Sequence, residues 1–231
     1  MRCWVICWIL VLLGGSCPGA AWAAELSATE SRWLQAAGPV LSHARSLGLP
    51  MDIIVQPQLA AGLAPLAMAF VAGRCKLVLS MRGNPEAQAT LDRIPPHLLE
   101  AAVELMVAHE LGHCRRYQDG AWASVPAGFA TRLPAGLNSG YREAYSAMVA
   151  ARREEGYGDL VGLAWTQMRH PEKYAVLYAW LLELRTQDLI PGSHHDTLAW
   201  LQLAQDGASL ASADLFAGPA TLWPRGLLRA N

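Results

Sequence analysis

The chain has 231 residues, a formal net charge of −1 at pH 7 and a pI close to neutrality. Its length predicts one domain, or one domain with an extension. The sequence has no excess of basic residues, so nothing in it indicates binding to nucleic acid or to an anionic membrane surface.

The first 23 residues have the organisation of a secretory signal peptide. Arg2 supplies a positive charge, Trp4–Leu13 forms a short apolar core, and Ala21-Trp22-Ala23 places small residues around a cleavage site. The apolar core is too short to span a bilayer comfortably. We therefore predict a signal peptide over 1–23 and one exported domain, periplasmic or secreted, over 24–231.

Cys17 raises the alternative of a lipid anchor at the end of the signal. This alternative is disfavoured because Gly14 stands where a lipoprotein signal usually has Leu. After cleavage, we expect the mature chain to have no stable membrane span.

The residues that follow predict one helix and then three strands. Apolar residues recur at intervals of three and four over Leu26–Leu47, which is typical of a helix. Extended runs at Met51–Val55, Leu66–Val71 and Cys75–Met81 predict strands, and Ala72-Gly73-Arg74 between the last two predicts a hairpin turn. Polar and apolar residues alternate in the third run, which indicates a half-exposed strand.

The second half of the chain is predicted to be helical, which makes the domain α+β and mostly helical. The predicted helices are Pro96–Gln118, Tyr141–Met168, Pro171–Gln187 and His194–Gln205. Between the first two, Ala121–Gly140 is rich in Gly and Pro and is predicted to be irregular. Its length indicates a functional or poorly ordered loop. Beyond residue 207 the sequence shows little periodicity.

A metal-binding motif lies in the first of these helices, where residues 107–114 read V-A-H-E-L-G-H-C. His109 and His113 are four residues apart, so they share one helix face and can bind a single Zn²⁺. Glu110 projects close enough to take a proton from water that the metal activates. Burying these three groups is costly without a partner, and a metal is the obvious one. The alternative is a helix with two hydrogen-bonded core histidines and a chance Glu.

A catalytic zinc site normally has three protein ligands, and Glu155 is the favoured third ligand. It lies on the predicted helix that follows the metal-binding helix. Asp159, four residues later, faces the same way and would hydrogen-bond a ligand histidine. Gly156 and Gly158 are small enough to let two helices approach closely around one ion.

Other residues compete for the third position. Asp119 lies six residues after His113, but binding from there needs a sharp turn at the position that Arg116 occupies, so the chain is expected to stay helical. His170, and the pair His194 and His195, are further candidates whose spacing does not require ligation.

The motif H-E-L-G-H followed by a helical E-x-x-x-D resembles the gluzincin branch of the zinc metallopeptidases, in the compact form called minigluzincins. It also resembles the membrane-embedded heat-shock and CAAX-type proteases. The resemblance covers about Met51–Met168, with 169–231 as a helical extension. It implies a zincin-like fold with a small mixed or antiparallel sheet, one Zn²⁺ per chain, a protein or peptide substrate, and Glu110 as general base.

The developing charge on a substrate carbonyl oxygen calls for a second donor besides the metal. His195, or its neighbour His194, is the candidate, because Asp196 could orient the ring. The alternative is ordinary surface chemistry at the start of a helix. Tyr145 and Tyr157 are weaker candidates, since Tyr at helical spacing is more often part of a core. Arg185 could pair with a carboxylate near the site.

Two cysteines remain after signal cleavage, Cys75 and Cys114, and an even pair in an exported protein is a disulfide candidate. Such a bridge would fasten the metal-binding helix to the preceding segment. Zinc ligation by Cys114 is the competing interpretation, but this residue points about 100° away from His113 around the helix.

Zincins usually hold the substrate as an added strand along a sheet edge, and Cys75–Met81 is the run expected to provide it. A plain structural strand is the alternative. Two other classes of function remain open: a non-catalytic, zinc-stabilised interaction protein of the envelope, and a hydrolase acting on something other than peptides. A requirement for Glu110 in any cleavage would separate the enzyme from the interaction protein.

Overall fold

A computed structural model describes residues 25–57, 64–131, 133–187 and 189–230. The predicted signal peptide, with Cys17, lies outside these residues. The described helices are α1 (Ala28–Ser46), α2 (Pro85–Asp92), α3 (Leu99–Gln118), α4 (Arg142–Arg169), α5 (Tyr174–Thr186), α6 (Leu198–Leu201) and α7 (Ala217–Leu227). The strands are β1 (Met51–Pro57), β2 (Leu66–Val71) and β3 (Arg74–Arg82), and single 3-10 turns lie at Pro96–Leu98, Ser139–Tyr141, Pro171–Lys173 and Ala208–Leu210.

The three strands form a small mixed sheet in the order β1-β3-β2. β1 pairs with β3 in parallel, and β2 pairs with it antiparallel through a tight hairpin. Ala72 and Gly73 in that hairpin both have positive φ, as two-residue hairpin turns require. The predicted α+β class with a small mixed sheet is confirmed.

β3 is the central strand, so the expectation that Cys75–Met81 receives an added strand is wrong. Both of its edges already carry hydrogen bonds to neighbouring strands. Within the described residues β2 pairs only with β3, and it packs beside α3. The sheet edge next to α3 is therefore β2.

The predicted alternation along β3 is confirmed from Cys75 to Leu79 and is wrong at Ser80, which is buried. Cys75, Leu77 and Leu79 are buried, whereas Lys76 and Val78 between them are partly exposed. Helices α1, α2 and α3 all pack against this strand. Because helices cover one face of the sheet, the apolar residues of β3 point to that face and the core lies there.

Helix α2 begins directly after β3, where the sequence predicted only a break. The Asn84 side chain accepts a hydrogen bond from the Glu86 backbone N–H at 3.1 Å, and Pro85 occupies the first turn. An Asn cap followed by Pro favours a helix start. The signal was present in the sequence, although the helix that it starts has only eight residues.

The prediction for the C-terminal region is wrong in two respects. A helix was expected over His194–Gln205, but α6 covers only Leu198–Leu201, and α7 was not expected at all. The packing around Trp200 explains α7: a Cβ on Gly226 would lie 2.2 Å from the Trp200 ring. Tertiary contacts with this buried indole thus outweigh the low helix propensity of Gly226 and Pro224.

Helices α3 and α4 form the centre of the domain and approach each other through glycines. A Cβ on Gly112 would lie 3.1 Å from the Val161 side chain, and a Cβ on Gly162 would lie 2.8 Å from the Leu105 carbonyl oxygen. The two backbones therefore pack more closely than larger side chains would allow. As for membrane insertion, none of the helices in the described part of the chain has the length and apolar character to cross a bilayer.

A disulfide joins Cys75 of β3 to Cys114 of α3, and both residues are fully buried. The predicted pairing is thus present in the structure. It excludes Cys114 as a metal ligand, because its sulfur is already bonded. The bridge attaches α3 to the central strand one residue after His113.

Replacing both cysteines by Ala should lower the free energy of unfolding by about 4 kcal/mol on the chain-entropy model, because the bridge closes a loop between positions 39 residues apart. Urea denaturation without reductant measures this difference. With reductant present, the free energy of unfolding of the native chain should fall to that of the double variant, and the value for the variant should not change. Equal stability of the two proteins under oxidising conditions would contradict the prediction.

Glu30, buried in the first turn of α1, makes stability depend on pH. Its carboxylate accepts hydrogen bonds from the Ser27 backbone N–H at 2.6 Å and from Arg82 Nη2 at 2.8 Å. The Arg82 hydrogen bond holds the pKa of Glu30 below its ordinary value of 4.5, although burial opposes this. The stabilisation is therefore complete above pH 4.5 and is lost as the pH falls through the lowered pKa.

Accordingly, Glu30→Gln should lower the Tm at pH 7, and the difference from the native chain should shrink as the pH falls below about 4. Thermal melts across this range test it. The matched control is Glu86→Gln, in the first turn of α2, whose side chain is 60% exposed and should matter little at either pH. A difference that grew on acidification would contradict the assignment.

Candidate metal centre

Helices α3 and α4 bring together the residues of the candidate site. His109, Glu110 and His113 lie on α3, which has a run of Ala, Leu, Val and Glu residues that favours uninterrupted helix. Glu155 and Asp159 lie on α4, which continues as a helix past both glycines beside Tyr157. The i,i+4 spacing on each helix therefore places each pair on one face.

The three predicted metal ligands converge. His109 Nε2 lies 3.5 Å from Glu155 Oε2, and His113 Nε2 lies 3.5 Å from Glu155 Oε1. One potential ligand atom from each residue falls within 4.8 Å of the other two. Ligands bound tetrahedrally at zinc distances are about 3.4 Å apart. The donor set therefore fits one divalent ion.

Two further observations bear on this fit. Glu110 Oε2 and His113 Nδ1 are buried side-chain atoms that have no hydrogen-bond partner within the described residues. A buried carboxylate oxygen without a partner costs free energy unless water or an ion satisfies it. Glu110 adjoins the candidate ligand His109, so its unpartnered oxygen could accept a proton beside a bound metal.

Asp159 holds the first histidine in place. His109 Nδ1 lies 2.9 Å from Asp159 Oδ1, so the tautomer that carries its proton on Nδ1 donates to this carboxylate and leaves Nε2 free. Thr197 Oγ1 donates to Asp159 Oδ2 at 2.6 Å. Sequence reasoning missed Thr197, and no local pattern links it to α4.

Arg185 of α5 connects the carboxylates. Its Nη2 donates to Asp159 Oδ1 at 2.7 Å and to Glu155 Oε2 at 3.2 Å, and its Nε donates to Asp159 Oδ2 at 2.9 Å. The predicted pairing of Arg185 with a carboxylate near the site is therefore present. The guanidinium offsets part of the negative charge that Glu155 and Asp159 bring into the core.

The electrostatics of the site favour positive charge between the helices. Burial alone would lower the pKa of His109, but the carboxylates of Glu155 and Asp159 outweigh it and raise that pKa to about 10. Burial likewise opposes ionisation of Glu155, yet the two histidines hold its pKa well below the ordinary value. Burial raises the pKa of Glu110, which makes its carboxylate a better proton acceptor.

Both glycines beside Tyr157 make room for aromatic rings. A Cβ on Gly158 would lie 2.7 Å from His109 Cε1, and a Cβ on Gly156 would lie 2.4 Å from the Trp200 ring. Gly158 thus lets the ligand ring lie directly against the α4 backbone. The glycines serve packing on the two sides of the helix, and α4 stays continuous.

The candidate ligands open into a cleft of about 470 Å³. One wall is formed by residues around the start of β2, including Leu66 and Met68, and another by Leu181 and Leu184 of α5. The lining is therefore largely apolar around a polar centre, as in most small-molecule and substrate sites.

His195 also lines the cleft and is exposed. Its ring centroid lies 3.9 Å from that of His194. Partial desolvation, and then the charge of Arg185, lower the pKa of His195 to about 4, so the ring is neutral at pH 7. The expectation that Asp196 orients it is wrong: the Asp196 carboxylate makes no hydrogen bond to the His195 ring, and its Oδ2 instead accepts the Gly192 backbone N–H at 2.8 Å and closes a turn.

The other candidates lie elsewhere. Asp119 pairs with Arg115 at the exposed end of α3, which stays helical as expected, and His170 lies 3.2 Å from Glu104. Tyr157 packs edge-on against Trp223. Tyr145 lines a separate cavity with Val149 and Arg152. Asp119 and His170 are thus outside the three-residue cluster, and neither tyrosine is among the residues that line the cleft.

No family model, curated protein or solved structure matches this chain. The function is therefore inferred from the side chains that α3 and α4 bring together.

Because a Cβ on Gly158 would overlap the His109 ring, Gly158→Ala should displace this ligand and weaken zinc binding by at least about tenfold. Titration against a chelating zinc indicator measures the affinity. Gly38→Ala, in the interior of α1 with no atom within 4 Å of the added carbon, is the matched control and should leave zinc binding unchanged. Unaltered affinity in a folded Gly158→Ala protein would argue against His109 as a ligand.

Proposed function

We propose that this protein is a zinc-dependent metallopeptidase that hydrolyses peptide bonds with Glu110 as general base. The observation that carries the proposal is the convergence of His109, His113 and Glu155 from two packed helices. The buried, unpartnered oxygen of Glu110 beside this cluster adds to it. We further propose that the fold is of the gluzincin type.

A zinc ion held by the three ligands would supply Lewis acidity, which polarises a carbonyl group and lowers the pKa of water. Glu110 Oε2 would take the proton of the attacking water and pass it to the leaving nitrogen. Burial raises the pKa of Glu110 above its ordinary value, which strengthens the carboxylate as a proton acceptor. Asp159 would keep His109 in the tautomer that leaves Nε2 free.

His195 is the proposed donor to the developing oxyanion. It is neutral at pH 7 and lines the same cleft, so one ring N–H is available for a hydrogen bond to a substrate oxygen. Asp196 plays no part in this role.

The substrate proposed is an extended peptide lying along β2. This strand has an edge beside α3, and residues at its start line the cleft. A peptide adding to it would gain main-chain hydrogen bonds and reach the centre of the cleft. The Cys75–Cys114 bridge supports an exported enzyme, because disulfides persist in oxidising compartments.

Metal analysis of the purified chain, alongside peptide cleavage, tests the assignment. Glu110→Gln should keep about one zinc per chain and lose about 10²–10⁴-fold in cleavage rate, because only the proton acceptor is removed. Glu155→Ala should lose zinc. Asp119→Ala, at the C-terminal end of α3, is the control. It should keep the zinc content and the cleavage rate of the native chain.

Different outcomes point to different functions. Zinc retained at full occupancy in Glu155→Ala would exclude this ligand set. Peptide cleavage unchanged in Glu110→Gln would remove Glu110 from the mechanism. Zinc at full occupancy with no cleavage by the native chain would favour the non-catalytic interaction protein.

A further inference from the structure

Three aromatic side chains pack together beside His113, and of these Trp122 lines the cleft: Phe70 of β2, Tyr117 of α3 and Trp122 of the following loop. We call these three residues the aromatic wall. Phe70 stacks on Tyr117 with ring centroids 4.1 Å apart, and it meets Trp122 edge-on at 4.7 Å. The Trp122 ring also lies edge-on to His113, at 5.4 Å. The wall therefore adjoins the candidate metal centre.

Trp122 remains accessible in this arrangement. It lines the cleft and is 38% exposed, whereas Trp33, the other indole in the lining, is buried. The indole packs on Phe70 and His113 but leaves more than a third of its surface accessible. Contact with a ligand would bury the rest of its surface.

The loop that carries Trp122 is fixed by a buried ion pair. Arg116 Nε donates to Glu154 Oε2 at 2.6 Å, and both side chains are at least nine-tenths buried. Arg116 Nη2 also donates to the carbonyl oxygens of Ala121 and Ser124, at 2.7 and 2.8 Å. Glu154 Oε1 accepts the Ala123 backbone N–H at 3.0 Å. The pair therefore binds the backbone on both sides of Trp122.

Burying this ion pair costs free energy, so the hydrogen bonds that offset the cost show which segment the pair stabilises. Desolvating two charges is offset only where geometry and further hydrogen bonds are favourable. Here the further hydrogen bonds all go to residues 121–124. Ala123 adopts a positive φ of 57°, a strained conformation that these bonds hold. Free energy is thus used to order one short loop, and Trp122 is the side chain that this loop presents to the cleft.

The ion pair is built on the same two helices as the metal centre. Arg116 follows His113 by three residues on α3, and Glu154 directly precedes Glu155 on α4. The distance between the helices therefore sets the position of both the ligands and the loop. A pre-ordered aromatic surface binds with a smaller entropic cost than a mobile one.

We propose that Trp122 is a specificity-determining residue, held by the Arg116–Glu154 pair, that contacts an aromatic or large aliphatic side chain of the peptide substrate on the His113 side of the cleft. The inference rests on the proposed function in one respect, namely that a peptide occupies the cleft. The start of β2 lines the cleft, and Phe70 near its other end packs against Trp122, so a side chain of a peptide lying along the strand would meet the indole. An aromatic partner would add an edge-to-face or offset stack to simple burial.

Binding to a non-cleaving protein tests the proposal without relying on activity. The probe is a set of capped hexapeptides, otherwise Ala and Ser, in which each position in turn carries Ala, Leu or Phe. Calorimetry with zinc-loaded Glu110→Gln protein measures each Kd. We expect one position at which Phe or Leu binds at least about tenfold more tightly than Ala, the discrimination typical of an apolar subsite.

Adding Trp122→Ala to that protein should reduce the preference to within about twofold and leave the affinity for the Ala peptide nearly unchanged. Trp122→Phe should retain most of the preference. The matched control is Tyr141→Ala, which removes a 63% exposed aromatic residue that does not line the cleft. This variant should keep the full preference.

The role of the ion pair has its own test. Glu154→Ala should weaken the Phe preference while zinc per chain stays constant, because the ligands remain and only the loop is released. Glu154→Gln keeps an acceptor for the Ala123 N–H and should weaken it less. A general loss of structure would instead lower zinc content and the affinity for every peptide together.

The outcomes separate the subsite from the proposed peptidase. A Trp122-dependent preference without cleavage by the native chain would support the subsite and overturn the enzyme. Cleavage with the same side-chain preference in the native and Trp122→Ala proteins would overturn the subsite alone. If no peptide in the set binds, or if none shows a preference, the subsite is likewise overturned.

Discussion

The structure depends on the close packing of α3 against α4, which glycines on both helices make possible. Gly112 and Gly162 bring the backbones together, and Gly158 leaves space for the His109 ring against α4. At this separation the glutamate of one helix reaches the histidines of the other. A larger residue at any of these glycines would require the helices to move apart or a neighbouring side chain to shift. The candidate metal centre is thus a product of how near two helices can lie.

Such a centre concentrates carboxylates in a core that disfavours charge, and the surrounding residues offset this cost. Asp159 is fully buried but receives hydrogen bonds from His109, Thr197 and Arg185. Two helices and one connection thereby meet at a single side chain of α4, so the site and the tertiary fold stabilise each other. Pre-organisation of this kind lets a ligand set bind an ion without a large rearrangement.

Much of what the sequence predicted correctly depends on local spacing, whereas the Cys75–Cys114 pairing followed from the number of cysteines. Residues four apart share a face in any helix. The spacing alone therefore predicted that His113 lies beside His109 and that Asp159 lies beside Glu155. The order of the strands did not follow, because parallel pairing of β1 with β3 depends on the path of the chain between them. Thr197, far along the chain from Asp159, carries no motif. Likewise α7 forms around Trp200 despite Gly226, a contact that is invisible to local propensity.

The disulfide at Cys114, directly after His113, also fixes the rotation of α3 about its own axis. Cys114 must face β3 while His113 faces α4, and neighbouring helical residues differ by about 100° around the axis. An inserted or deleted residue between His109 and Cys114 would rotate one attachment relative to the other, and the helix could then satisfy only one of them. The segment is therefore sensitive to changes in length as well as to changes in side chain.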